Sequence, residues 1–124
     1  MTLLVMQRGD TFAFTRTLLD ADGQSIDLTF ADVTFTAKRM YRDPAFITKT
    51  LLDGIDVGGS GDVGVVTVTL QPEDTDMLTH TERFVWDIEV VDMGASGDLS
   101  VISTPLKGRL VVRLDTTTPA GSGS

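Results

Sequence analysis

The segment RFVWDIEVVD, residues 83–92, alternates without a break: Phe84, Trp86, Ile88 and Val90 share one parity, and Val85, Asp87, Glu89 and Val91 share the other. In an extended chain successive side chains point to opposite faces, so this pattern makes one face wholly apolar. A helix would scatter the same residues around its circumference. The period recurs in ADVTFTAKRMY, where Val33, Phe35 and Ala37 alternate with Thr34, Thr36 and Lys38, and in VVTVTL, where Val66, Val68 and Leu70 share a face. In TFAFTRTLLD, Phe12, Phe14 and Leu18 share a face that Arg16 interrupts, opposite Thr11, Thr15 and Thr17. A chain built of such runs has to bury sheet faces against one another.

The punctuation between the runs fits that reading. Asp22-Gly23 is a strong turn signal after the Phe14 strand. AFITKTLL, residues 45–52, is the expected partner of the Phe35 strand, and DGIDVGGSGDVG, residues 53–64, reads as a loop by composition. In QPEDTDML, Pro72 suits a first helical position, and Glu73 and Asp74 suit the positive end of a helix dipole. Two further strands are expected near LSVIS and over KGRLVVRL, residues 107–114. The sum is an all-β antiparallel sandwich of about seven or eight strands, with one short helical turn near residues 72–78. Residues 1–117 form a single domain in this reading, and residues 118–124 a flexible Gly/Ser-rich tail.

At 124 residues the chain is long enough to bury a core without staples, and with no Cys it has neither disulfides nor thiolate metal ligands. A net charge of −8 disfavours phosphate backbones and anionic lipid, so neither nucleic acid nor membrane is expected as a partner. The opening MTLLVMQRGD has an apolar run only from Leu3 to Met6, without a basic region before it or a cleavage site after it. It predicts neither a signal peptide nor a membrane span.

Few residues are candidates for chemistry. Asp87 and Glu89 lie on one strand face roughly 7 Å apart, a spacing open to two-carboxylate hydrolysis, but the expectation is a solvent face behind a core Trp86. GGSGDVGVV, residues 58–66, shares letters with a calcium-binding nonapeptide, yet it occurs once and Asp62 is one position early, so it reads as a turn. Asp53, Asp56 and Asp62 lack the fixed spacing of a calcium loop. His80 is the single histidine, with no zinc set around it and no thiol to activate. No serine sits in a nucleophile elbow, and Arg8-Gly9-Asp10 reads as a bend into the Phe12 strand, not as an adhesion signal. The expectation is a chain that is not an enzyme, with no catalytic, cofactor-binding or metal residues and no cofactor.

The order of short phrases adds a resemblance. Gly9-Asp10-Thr11, Asp27-Leu28-Thr29, Val33-Thr34-Phe35, Asp74-Thr75-Asp76-Met77-Leu78 and Trp86-Asp87-Ile88-Glu89 follow one another, and Thr104, Gly108 and Asp115-Thr116-Thr117 close the series. In that order, over residues 7–117, the chain resembles the immunoglobulin-like β-sandwich modules of tailed bacteriophages and prophages. It is similar, less closely, to the N-terminal domain of baseplate upper proteins.

The resemblance implies a non-enzymatic structural or adaptor component of a bacteriophage particle, on its head surface, neck, tail or baseplate. It would be made in the host cytoplasm and resident in the virion. Other virion proteins are its implied partners. The sequence itself adds the expectation of a homo-oligomer or a symmetric multi-copy placement, with the short apolar TLLVM opening or the Gly/Ser tail pairing with a neighbouring copy. The alternative expectation is a carbohydrate- or receptor-binding module on the particle surface.

Overall fold

A computed structural model describes residues 2–20, 22–26, 28, 31–57, 64–92 and 101–114. They form eight strands: β1 (Thr2–Gln7), β2 (Phe12–Thr17), β3 (Ala31–Lys38), β4 (Ile47–Leu51), β5 (Gly54–Val57), β6 (Val65–Leu70), β7 (Glu82–Asp92) and β8 (Val101–Arg113). One 3-10 turn, Pro72–Asp74, lies between β6 and β7. No helix among the described residues is long and apolar enough to cross a membrane.

The strands make one hydrogen-bonded ladder in the order β1-β8-β7-β3-β4-β5-β6-β2. The ladder doubles over on itself, because Phe14 of β2, at one edge, packs against Phe35 of β3 and Trp86 of β7, with ring centroids 5.8 and 5.6 Å away. The layers are therefore β1-β8-β7-β3-β4 and β5-β6-β2, with the apolar parity of each strand turned inward, as in an immunoglobulin-like sandwich. Val33, Phe35 and Ala37 are buried from one layer, and Val66, Val68 and Leu70 from the other. The alternation in the sequence is the alternation of this core.

Three local readings change. Gly54–Val57, inside the segment that reads as loop by composition, is β5, and Ile55 is buried opposite Val68. The chain steps from one layer to the other through Leu52-Asp53, where Leu52 N–H donates to the Ile55 carbonyl (3.0 Å) and Leu52 takes φ 65°. Glycine and aspartate at such a step look the same in sequence as they would in an open loop.

LSVIS and KGRLVVRL are not two strands, because Val101–Arg113 runs as one. Ile88 pairs with Leu106 but Val90 pairs with Ser103, so β8 holds one extra residue there. Pro105 lies in this stretch; lacking an N–H, it is tolerated where the ladder is already interrupted.

The TLLVM opening is β1, which pairs in parallel with β8 of its own chain, from Thr2 opposite Gly108 to Gln7 opposite Arg113. One of its hydrogen-bonding edges is thus used within the chain, and removing residues 1–6 would strip a strand from the sheet. β4 and β5 are also parallel across their short step, while every other strand pairing is antiparallel. The tail from residue 115 on, including Asp115-Thr116-Thr117, and most of the Asp27-Leu28-Thr29 phrase lie outside the described residues.

Candidate functional site

Trp86 is the centre of the core, not of a site. It is 2% exposed, its ring lies 5.7 Å from Phe35, and its Nε1–H donates to the Arg109 carbonyl at 3.0 Å. Asp87 and Glu89 take the opposite parity, facing away from the core. Asp87 stands between Thr36 on β3 and Lys107 on β8, and Glu89 is opposite Thr34. Three open depressions, lined by Arg39 to Arg42 and Val85, by Arg39 and Asp43 to Phe46, and by Leu3, Arg39, Arg83 to Val85, Arg109 and Val111, include neither carboxylate.

The other candidates are also kept apart. Asp53 and Asp56 are exposed on either side of Gly54-Ile55, and Asp62 lies outside the described residues. Among the described residues no three His, Asp or Glu side chains gather as a metal set would require. His80 is exposed beside β7, with Nε2 3.5 Å from Glu82. Glu82 belongs first to Arg39, whose Nε and Nη2 donate to its two carboxylate oxygens at 2.7 and 3.1 Å. That bidentate contact holds the Glu82 carboxyl below the usual carboxylate range, against partial desolvation, and raises Arg39. Arg39 also lies over the Phe46 ring at 4.7 Å, so it closes the end of the core where β3, β4 and β7 meet.

Two of the phrases singled out by the resemblance meet in space at one joint. Gly9 of the β1–β2 turn donates its backbone N–H to the hydroxyl of Thr75 at 2.9 Å, across 66 positions. Thr75 is fully buried, the one buried polar side chain among the described residues. Arg8 adds a bond from Nη1 to the Leu78 carbonyl at 3.1 Å. Thr75→Val keeps the shape but orphans the Gly9 N–H, so it is expected to lower stability by about 1–3 kcal/mol in urea unfolding, while Thr75→Ser stays near wild type. An equal loss in both variants would mean that packing of the methyl group, not the hydrogen bond, holds the joint.

What the sequence reading missed is a surface. Lys38, Arg83, Lys107, Arg109 and Arg113 all have the outward parity of β3, β7 and β8, next to Leu3, Val5, Val85 and Val111 on the same face. The β3–β4 loop adds Met40, Tyr41 and Arg42, which with Arg39 and Val85 line an open depression of about 530 Å³. Its signal was present in the sequence as Lys and Arg at alternate positions of KGRLVVR, but net charge conceals how charge is distributed.

No family model matches the chain, and no curated protein matches it. Among solved structures, a similar one is AggA, the major subunit of aggregative adherence fimbriae type I from Escherichia coli. The likeness covers 93% of this chain and 91% of that one, at 10% sequence identity and a TM-score of 0.33. A likeness at that level carries nothing about function.

Proposed function

We propose that the chain is a non-enzymatic structural or adaptor component of a bacteriophage particle, acting through protein contacts in a symmetric, multi-copy assembly. The observation that carries the reading is the Gly9–Thr75 joint. Two of the ordered phrases, Gly9-Asp10-Thr11 and Asp74-Thr75-Asp76-Met77-Leu78, come together as one welded corner, so those residues serve to define a scaffold. A rigid sandwich whose recognisable residues are joints suits a part that positions other proteins. The carbohydrate-binding alternative has less support. Trp86 is buried, which leaves Tyr41 as the one exposed aromatic side chain among the described residues.

The test is mass spectrometry of gradient-purified particles for the tryptic peptide of residues 84–107, FVWDIEVVDMGASGDLSVISTPLK. Recovery in the particle band at a fixed ratio to the main shell protein is the expected result. Finding the peptide only in the soluble fraction overturns the reading.

A further inference from the structure

Half of the chain's ten Lys and Arg residues stand on one face of a protein whose net charge is −8. They interleave with apolar side chains in register. Lys38, Val85, Arg109 and Leu3 form one row across β3, β7, β8 and β1, and Arg83, Val111 and Val5 form the next. Leu3 is 61% exposed, and Met40 and Tyr41, in the loop at the end of this face, are 67% and 64% exposed. A single exposed apolar residue is ordinary, but a contiguous group ringed by charge marks a contact surface. None of these five cations belongs to an ion pair among the described residues. The group is confined to the half of the sheet nearest the β3–β4 loop, since Asp87 stands level with Lys107, and Glu89 and Asp32 occupy the outer face beyond it.

The charge pattern decides what can cover this face. A two-fold contact centred on this basic patch would set cation against cation, which is unfavourable. The complement has to be acidic and partly apolar, and the chain carries such a surface. Next to the residues of the Gly9–Thr75 joint, Asp10, Glu73 and Asp76 are exposed, as is Met77 at 56%. The cations nearby are already engaged: Lys49 with Asp74 at 2.8 Å, and Arg8 with the Leu78 carbonyl.

We propose that copies of this chain associate head to tail, the basic and apolar outer face of β1-β8-β7-β3 in one copy receiving the acidic Asp10/Glu73/Asp76/Met77 corner of the next. Such a contact is heterologous, so it repeats into a ring if the rotation closes and into a filament if it does not. The inference rests on the multi-copy reading above and names the surfaces through which the copies meet.

Sedimentation equilibrium of the purified full chain tests it. The wild type is expected to exceed its 13.3 kDa monomer mass, increasingly with concentration and less at high salt. The variants Arg83→Glu/Arg109→Glu and Glu73→Lys/Asp76→Lys each change only exposed side chains. Each alone is expected to weaken association at least about tenfold in Kd. Mixed in equal amounts they are expected to recover it, because each then presents the charge its partner lacks. Circular dichroism melts like the wild type's establish that the variants fold; if either does not, Arg83→Gln/Arg109→Gln and Glu73→Gln/Asp76→Gln replace them, each expected to weaken association alone, and their mixture expected to stop at dimers, because the acidic corner of the first and the basic face of the second still make one wild-type contact.

A wild type that remains monomeric up to about 1 mM at low salt overturns the proposal. So do variants that associate normally, and so does a reversed-charge mixture that stays monomeric, since that assigns the face to a different partner. Association in solution together with absence from particles would instead overturn the virion reading and leave this contact standing.

Discussion

Trp86→Ala is expected to lower the free energy of unfolding by about 3–5 kcal/mol. The indole is 2% exposed and touches both layers, with Phe14 of β2 at 5.6 Å and Phe35 of β3 at 5.7 Å. Its removal therefore opens a cavity where the two sheets meet, and neither neighbour can fill it without leaving its own contacts. The Arg109 carbonyl also loses its 3.0 Å donor. Domains of this size are stable by only about 5–15 kcal/mol, so the loss is a large share of the total. Because Trp86 is the chain's one tryptophan, the comparison has to use circular dichroism in guanidinium rather than fluorescence. Trp86→Phe keeps much of the volume and gives up the hydrogen bond, so it is expected to fall well short of the alanine loss. A Trp86→Ala cost below about 1 kcal/mol would mean that the sheets can close over the gap, and that Trp86 is not what spaces them.

Strand faces were legible in the sequence because each depends on a period that lies within a few residues. Phe84, Trp86, Ile88 and Val90 are buried as their alternation requires, and so are Val33, Phe35 and Ala37. Connections were less legible because they depend on residues far apart or on steps that imitate turns. Nothing near Leu4 indicates that it will lie beside Leu110 in a parallel pair. Leu52-Asp53-Gly54 has the composition of a loop, yet it passes one strand directly into the next. Pro105 suggests a break, where β8 instead absorbs it at a register shift.

The surface was least legible, for an electrostatic reason. Composition gives the sum of charges, and the sum is acidic. The face that gathers Lys38, Arg83 and Arg109 exists only once β3, β7 and β8 are neighbours in a fixed register. The same holds for the acidic corner, whose Asp10 and Asp76 are brought together by the hydrogen bond from Gly9 to Thr75. Both surfaces are products of pairing between distant segments: the Lys and Arg of KGRLVVR mark one strand of the basic face but not the neighbours that complete it.

Gly64→Ala is expected to cost about 2–5 kcal/mol, the second large effect, and it separates two penalties that usually travel together. Gly64 sits just before β6 at φ +77°, a conformation that costs a residue bearing a Cβ about 1–2 kcal/mol. A Cβ there would also lie 3.0 Å from the carbonyl oxygens of both Leu18 and Ile26. Those atoms are backbone and locked together: Leu18 N–H donates to the Gly64 carbonyl at 2.8 Å, and Ile26 N–H to the Leu18 carbonyl at 2.9 Å. No side-chain rotation relieves the contact, so the backbone itself must shift, at a further cost of about 1–3 kcal/mol. Gly23 supplies the control, because it has nearly the same backbone angle, φ +81°, and nothing within 4 Å of where its Cβ would stand. Gly23→Ala should therefore show the conformational penalty alone, and the excess of Gly64→Ala over it measures how tightly the end of β2 is held against the start of β6. Equal costs at the two positions, measured by chemical unfolding, would mean that the Leu18–Gly64–Ile26 contact gives way easily.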